Sequence, residues 1–364
     1  MEEKVSAPER DYYFDNLKAL LIFLVVLGHF LLPIEPKDSE YIAAIKRLIY
    51  VFHMPLFIFV TGYFSKHIYK KGRYNWEKIF YFVKCYLIYV VLNQIVATLI
   101  GEESFVKIDF LEQSGAPWYL FATVVWYLTI PIVKRLHPAI VIIISLSLAL
   151  LAGYQDRIGD FLCLSRIIVF SVFFYMGYFM NETHVCWILR KRNMIFVFPL
   201  AIMAGYQAIH LSMTHKRSML IVYQNLPYSE VGKDIPGLYL RIFAMVAAVL
   251  ISWAIMFLVP KKKMIFSVIG QRTLTIYILH RPLRTICEHY GFYELLSSMH
   301  QPILMFFILF MISVALTILF AGKHINDGLN QLLKLHTIGK QQARAFGNLV
   351  AQRRVLWHHL HHAR

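Results

Sequence analysis

D-N-L-K-A-L-L-I-F-L-V-V-L-G-H-F-L-L-P-I, Asp15 to Ile34, decides the fold. From Ala19 to Ile34 its one ionisable side chain is His29. Read as a helix rising about 1.5 Å per residue, the run is long enough to cross a bilayer core. Polar groups in hydrocarbon are expensive and as a rule face an interior site, so the imidazole calls for a reason. Lys18 and His29 stand close to three turns of ~3.6 residues apart, which puts them on one face with about 16 Å between them. One face thus carries a cation near one membrane surface and an imidazole deeper in. The pair is read as marking a reaction path.

The rest of the chain agrees with a membrane reading. Of 364 residues, 58% are hydrophobic and only 16% charged, with a mean hydropathy of +0.55. A soluble domain is less apolar than this, so the length is read as one polytopic unit. The net charge of +16 is assigned to cytoplasmic loops facing anionic lipid rather than to nucleic acid, for which no motif is present. Cys85, Cys163, Cys186 and Cys287 are scattered without metal or disulfide spacing and read as packing residues. The first apolar run is too long for a signal peptide core and lacks a small-residue cleavage site.

Ten apolar segments can be drawn, at 16–34, 43–64, 79–101, 117–133, 139–153, 161–180, 194–212, 238–259, 271–287 and 301–322. With the N-terminus in the cytoplasm, the inner loops carry the cations. They hold Lys66, Lys70, Lys71, Arg73 and Lys78; then Lys134 and Arg135; then Arg190, Lys191 and Arg192; then Lys261, Lys262 and Lys263. The outer loops 35–42 and 102–116 are acidic and cation-poor. The positive-inside bias holds at every turn. The expected fold is therefore all-α, a polytopic membrane bundle of about ten transmembrane helices with both termini cytoplasmic. Residues 1–338 form the membrane domain, and 339–364 a basic, histidine-containing cytosolic tail expected to be mobile, with no native metal site assigned to it. A short echo, F-V-T-G-Y-F (Phe59–Phe64) and F-Y-M-G-Y-F (Phe174–Phe179), places a glycine where helices approach closely.

Ionisable groups inside the segments are His29, His53, Lys84, Arg166 and His280, with Lys18 and Arg241 at the edges. Lys84 and Arg241 are expected to snorkel to the surfaces. His53, in F-H-M-P, either serves a site or binds a carbonyl freed by Pro55. Arg166 lies too deep for an idle charge. His280, before Arg281-Pro282, marks either a kink or a site. Asp15 reads on spacing as a helix N-cap. A neutral imidazole held out of water is a natural general base for activating a hydroxyl. No G-x-S-x-G, H-E-x-x-H or Walker A sequence is present, which excludes the commonest serine hydrolase, zinc peptidase and ATP-driven readings. The loop Lys66–Tyr74 has the charge to hold a polyphosphate, although topology alone makes inner loops basic.

Together these stretches resemble the acyltransferase 3 membrane proteins, especially the fucose 4-O-acetylase-like branch. R-D-Y-Y-F-D-N-L-K-A-L-L-I-F-L-V-V-L-G-H is similar to that family's first span, with Lys18 and His29 filling its cation, ten residues, His pattern. F-H-M-P-L-F-I-F-V-T-G-Y, P-W-Y-L-F-A-T-V-V-W-Y-L, S-R-I-I-V-F-S-V-F-F-Y-M-G-Y and I-G-Q-R-T-L-T-I-Y-I-L-H-R-P-L follow in the family's order. Thr61 replaces a frequent serine, and lysines dominate the loop after the second span. The resemblance implies a ten-span bacterial inner-membrane O-acyltransferase. Its donor would be cytosolic acetyl-CoA and its acceptor a hydroxyl, commonly on a cell-envelope sugar, with no metal. On that reading His29, Lys18 and Asp15 are catalytic, and Lys66, Lys70, Lys71 and Arg73 bind CoA. His53, Trp118, Tyr119, Arg166 and His280 line the acceptor side. Rival readings are a transporter, expected to show paired broken spans, and a scaffold in which His29 only pairs helices.

Overall fold

The computed structural model describes residues 12–101, 117–156, 161–231 and 235–333. The acidic outer loop 102–116 and the tail 339–364 lie outside the described residues. Each of the ten apolar segments is a helix. These are α1 (Tyr12–Phe30), α2 (Glu40–Tyr63), α3 (Trp76–Leu99), α4 (Trp118–Val133), α5 (Pro138–Leu151) and α6 (Leu164–Phe179). After the short α7 (Glu182–Ile188) come α8 (Met194–Thr214) and α9 (Gly237–Leu258). The short α10 (Ser267–Gln271) then leads to α11 (Thr273–His289), the short α12 (Phe292–Ser298) and α13 (Pro302–Phe320). Among the described residues, six of the helical stretches have the length and apolarity to cross a membrane on their own, and the α6–α7 pair, bent by 106°, passes the same test only when its two helices are taken together. A compact unit ends at Ala321 and a second begins at Gly322; in the latter, residues 323–333 are helical.

Local chemistry starts the helices where the chain needs them. Ser39 caps α2 through the Ile42 amide, and Asn75 caps α3 through that of Lys78. Pro138 and Pro302 open α5 and α13, where a missing N–H does no harm. Among the described residues, one strand pair departs from the all-α expectation. Tyr69–Lys70 (β1) and Arg73–Tyr74 (β2) form an antiparallel hairpin. Its turn residues Lys71 and Gly72 both have positive φ, at 50° and 77°, as a twisted two-residue hairpin turn requires.

α2 is the hub, packed against α1, α6, α8 and α9. Its closest neighbour is α6, and the repeated G-Y-F explains why. A Cβ on Gly62 would stand 2.0 Å from the Phe174 carbonyl oxygen, and one on Gly177 would stand 1.9 Å from that of Phe59. The two copies of the motif are the two sides of one helix crossing. α3, α5, α8 and α13 lie outside and turn Leu87, Ile143, Phe196 and Phe307 outward. So many large apolar side chains turned outward suit lipid and not water.

Three expectations need correction. α1 does not run to Ile34: it ends at Phe30 and passes into a turn, because Pro33 disfavours helical backbone at Leu32. His29 therefore stands in the last helical turn. Asp15 is not an N-cap but lies within α1, paired with Lys18 at 2.9 Å. Arg241 does not snorkel. It is fully buried and donates to the Ala149 carbonyl at 3.1 Å and to that of Leu226 at 3.3 Å, with its guanidinium 4.8 Å from the Tyr228 ring centre. α5 and the segment before α9 each supply a carbonyl where an open surface was expected. Lys46 and Arg47, passed over in the sequence, behave alike. Lys46 is buried and donates to the Leu32 and Ile34 carbonyls, and Arg47 donates to that of Ser212.

Candidate active site

α1 packs along α11, and this brings together two imidazoles far apart in sequence. His29 Nδ1 lies 2.5 Å from His280 Nε2, and the ring planes are within 5° of parallel. His280 Nδ1 lies 2.9 Å from the Ile276 carbonyl oxygen. A carbonyl can only accept, so the hydrogen there belongs to His280 Nδ1. In a neutral ring Nε2 is then the acceptor, and His29 Nδ1 donates to it. The row of bonds runs from His29 to His280 to the α11 backbone. Its geometry leaves His29 Nε2 as the one ring nitrogen of the pair with an uncommitted lone pair.

His29 lines a cavity of about 100 Å³. His53, Trp118 and Arg166 line it too, together with Tyr50, Tyr223, Tyr277 and Arg281. His53 Nδ1 sits 2.7 Å from the Ile49 carbonyl oxygen. This is not Val51, the carbonyl that Pro55 deprives of its helical partner. Arg166 donates from Nε to the Tyr223 carbonyl at 3.2 Å and stands 5.7 Å from the Trp118 ring centre, and Trp118 stacks on Phe170. Lys46 holds the turn after α1 in place, and with it the roof beside His29.

Two residues predicted for the acceptor side stand apart from that cavity. His280 is wholly buried behind His29, with both nitrogens engaged. Tyr119 lines a second cavity of about 80 Å³ with Phe82 and Thr273, and its hydroxyl lies 2.7 Å from Thr61 Oγ1. The two cavities share Val25, Met54 and Tyr277 as their common wall. The second lies toward the end of the bundle that holds Lys18, Asp15 and the hairpin. There Lys78 stands 6.0 Å from the Phe82 ring centre, and Gln271 donates to Asp15 at 3.2 Å. Lys18 and Asp15 are thus brought together with each other, with Lys18 eleven residues, about 16 Å, along α1 from His29 and Asp15 one turn further.

Lys70, Lys71 and Arg73 are exposed around the hairpin turn. The hairpin is anchored by the Tyr74 hydroxyl on the Leu128 carbonyl, 2.8 Å away. Lys66 folds back from this group, donates to the Met180 carbonyl and lies over the Tyr63 ring. Among the described residues, no group of three or more His, Cys, Asp or Glu is placed to hold a metal ion.

Of the residues that sequence reasoning missed, Arg281 carried a signal, since it follows His280 directly in an apolar run. Tyr50, Tyr223 and Tyr277 were hidden among the chain's 22 tyrosines.

This is the frame of a membrane acyltransferase, and comparison bears out the class. A family model described as Acyltransferase domain matches residues 11–322, and the chain belongs to that family. Over 62 residues it is 43% identical to Nodulation protein NolL of Sinorhizobium fredii (strain NBRC 101917 / NGR234), covering 16% of this chain and 17% of that protein. Over 58 residues it is 43% identical to Nodulation protein NolL of Mesorhizobium japonicum (strain LMG 29417 / CECT 9101 / MAFF 303099), covering 15% and 16%. The matches thus span about a sixth of the curated relatives' length. No solved structure matches the chain.

Proposed function

We propose that this chain is an O-acyltransferase of a bacterial inner membrane. It moves an acyl group, acetyl in the first instance, from cytosolic acyl-CoA to a hydroxyl on a cell-envelope carbohydrate or similar acceptor. The ten long helices are read as ten crossings with both termini in the cytoplasm, the basic loops facing in. CoA meets the exposed Lys70, Lys71 and Arg73 and the Lys18–Asp15 end of the bundle. Its thioester arm passes through the cavity at Phe82 and Thr273 towards His29. The acceptor occupies the cavity of Trp118, Arg166 and His53.

His29 Nε2 takes the proton of the acceptor hydroxyl as its oxygen attacks the thioester carbonyl carbon. The tetrahedral oxyanion collapses, the C–S bond breaks, and the departing sulfur takes the proton back from His29, giving the ester and free CoA thiol. His280 acts through His29: by accepting from Nδ1 it fixes the tautomer and spreads the charge when the ring is protonated.

The observation that carries this reading is the His29–His280–Ile276 row, which leaves a base on the wall of a cavity with a second cavity behind it. A transport path needs no such fixed tautomer. The test is thiol release from acetyl-CoA by the purified protein in nanodiscs, with and without candidate sugars. Acceptor-dependent release together with an acetylated sugar is expected. Solute flux without CoA consumption overturns the reading.

A further inference from the structure

Among the described residues, the cavity at His29 and the one behind it have three lining side chains in common, Val25, Met54 and Tyr277. All three are buried. They come from three different helices, α1, α2 and α11, and helical spacing puts them in one layer. Val25 stands four residues from His29, Met54 four from Tyr50 and Tyr277 three from His280. Each therefore shares a helix face with a ring at the His29 level, one turn or about 5.4 Å away. A further turn along, Phe57 of α2 and Thr273 and Leu274 of α11 line the second cavity. The helices thus step from the His29 level, through a collar of three side chains, to the space on the Lys18 side.

The members of the collar differ in how far they yield. Val25 is β-branched, and such a side chain is stiff at χ1 in a helix. The Tyr277 ring is braced by those of Tyr89 and Tyr119, with centres 5.8 and 5.6 Å away. Met54 is unbranched and has three rotatable bonds, so it is the member that swings most readily. A thioester that arrives from the second cavity leads with its acyl group, and that group has to pass the collar. Its carbonyl carbon then has to stand about 3–3.5 Å from the attacking oxygen, so it cannot stop short. A straight chain threads a gap opened by one swinging side chain. A chain branched beside the carbonyl needs a wider gap than Met54 alone opens.

We propose that Met54 determines which acyl groups reach His29. With Val25 and Tyr277 it forms a collar that passes short, unbranched acyl groups and refuses one branched next to the carbonyl. This rests on reading the second cavity as the donor path of an acyltransferase. Met54 acts on the acyl group by shape and takes no part in the proton transfers, so donor binding tests the collar without turnover.

The test is displacement of labelled acetyl-CoA from the full chain in nanodiscs by acetyl-, propionyl- and isobutyryl-CoA. Propionyl-CoA is expected to bind close to acetyl-CoA, and isobutyryl-CoA about tenfold or more weakly, the scale on which apolar pockets reject extra bulk. Met54→Ala should remove most of that difference, and Met54→Leu, of similar volume, should keep it. Val25→Ala widens the collar from another helix and should act like Met54→Ala, which keeps the test in force should one variant fail to fold. Met176→Ala, on α6 and lining neither cavity, controls for general loosening and should leave the difference unchanged. Equal binding of all three donors to the wild type overturns the proposal. So does a difference that survives in folded Met54→Ala or Val25→Ala, or one that Met176→Ala also removes. Absence of acetyl-CoA binding to the wild type removes both the collar and the transferase reading. Acyl transfer is scored in parallel. Transfer without donor discrimination removes the proposal and keeps the transferase. Discrimination that Met54→Ala relaxes, alongside solute flux without CoA consumption, keeps the collar and removes the transferase.

Discussion

Gly62 of α2 and Gly177 of α6 each back onto the other helix's carbonyls, at Phe174 and Phe59 respectively. The crossing is reciprocal, and it fixes the hub helix that carries His53 and Tyr50 into the cavity. Adding a methyl group at either position forces backbone apart, because the obstacle is main chain and not a movable side chain. Gly177→Ala is expected to destabilise by about 1–3 kcal/mol, the range for overpacking a tight interior. Thermal unfolding in nanodiscs measures it. Gly62→Ala should behave alike, whereas Gly328→Ala, which meets nothing within 4 Å, should not.

Arg241 is expected to be structural and not chemical. Replacing it with Met strands the Ala149 and Leu226 carbonyls. Unpaired buried polar groups cost roughly 1–3 kcal/mol each. The melting temperature should fall, while turnover per folded molecule stays within about twofold of wild type. A large loss of turnover with an unchanged melting temperature would contradict this.

The exposed hairpin cations are expected to act on donor binding alone. Lys70, Lys71 and Arg73 changed together to Gln should raise KM for acetyl-CoA by about tenfold and leave kcat nearly unchanged, since exposed charge pairs contribute ~0.2–1 kcal/mol each. The salt dependence of KM should shrink as well. Steady-state kinetics at two ionic strengths read both.

Hydropathy placed a helix on each of the ten apolar segments, six of which are long and apolar enough among the described residues to cross a membrane on their own. The ends were less legible. Pro33 was in plain view, yet the apolar residues beyond it masked the stop. K-K-G-R between two tyrosines was a hairpin signal, read only as charge. Arg241, Lys46 and Arg47 were misjudged or missed for one reason: periodicity cannot show that a preceding loop or a neighbouring helix offers carbonyls. His29 and His280 were each singled out, but their pairing depends on how α1 meets α11, and no local pattern carries that.

His280→Phe should separate positioning from binding. It keeps a flat ring behind His29 and removes the acceptor for Nδ1–H. Transfer is expected to fall by about 10²-fold or more, with acetyl-CoA affinity within about twofold of wild type. His280→Asn, whose amide oxygen can accept from Nδ1, should recover part of the rate. Equal losses in both variants would argue that His280 serves packing.

The most direct measurement is single-turnover acetyl transfer by His29→Ala, with acetyl-CoA binding measured on the same preparation. Binding should be retained and transfer reduced by about 10²–10⁴-fold, the range for losing a positioned general base. Transfer at the wild-type rate in a variant that still binds acetyl-CoA would contradict a catalytic role for His29.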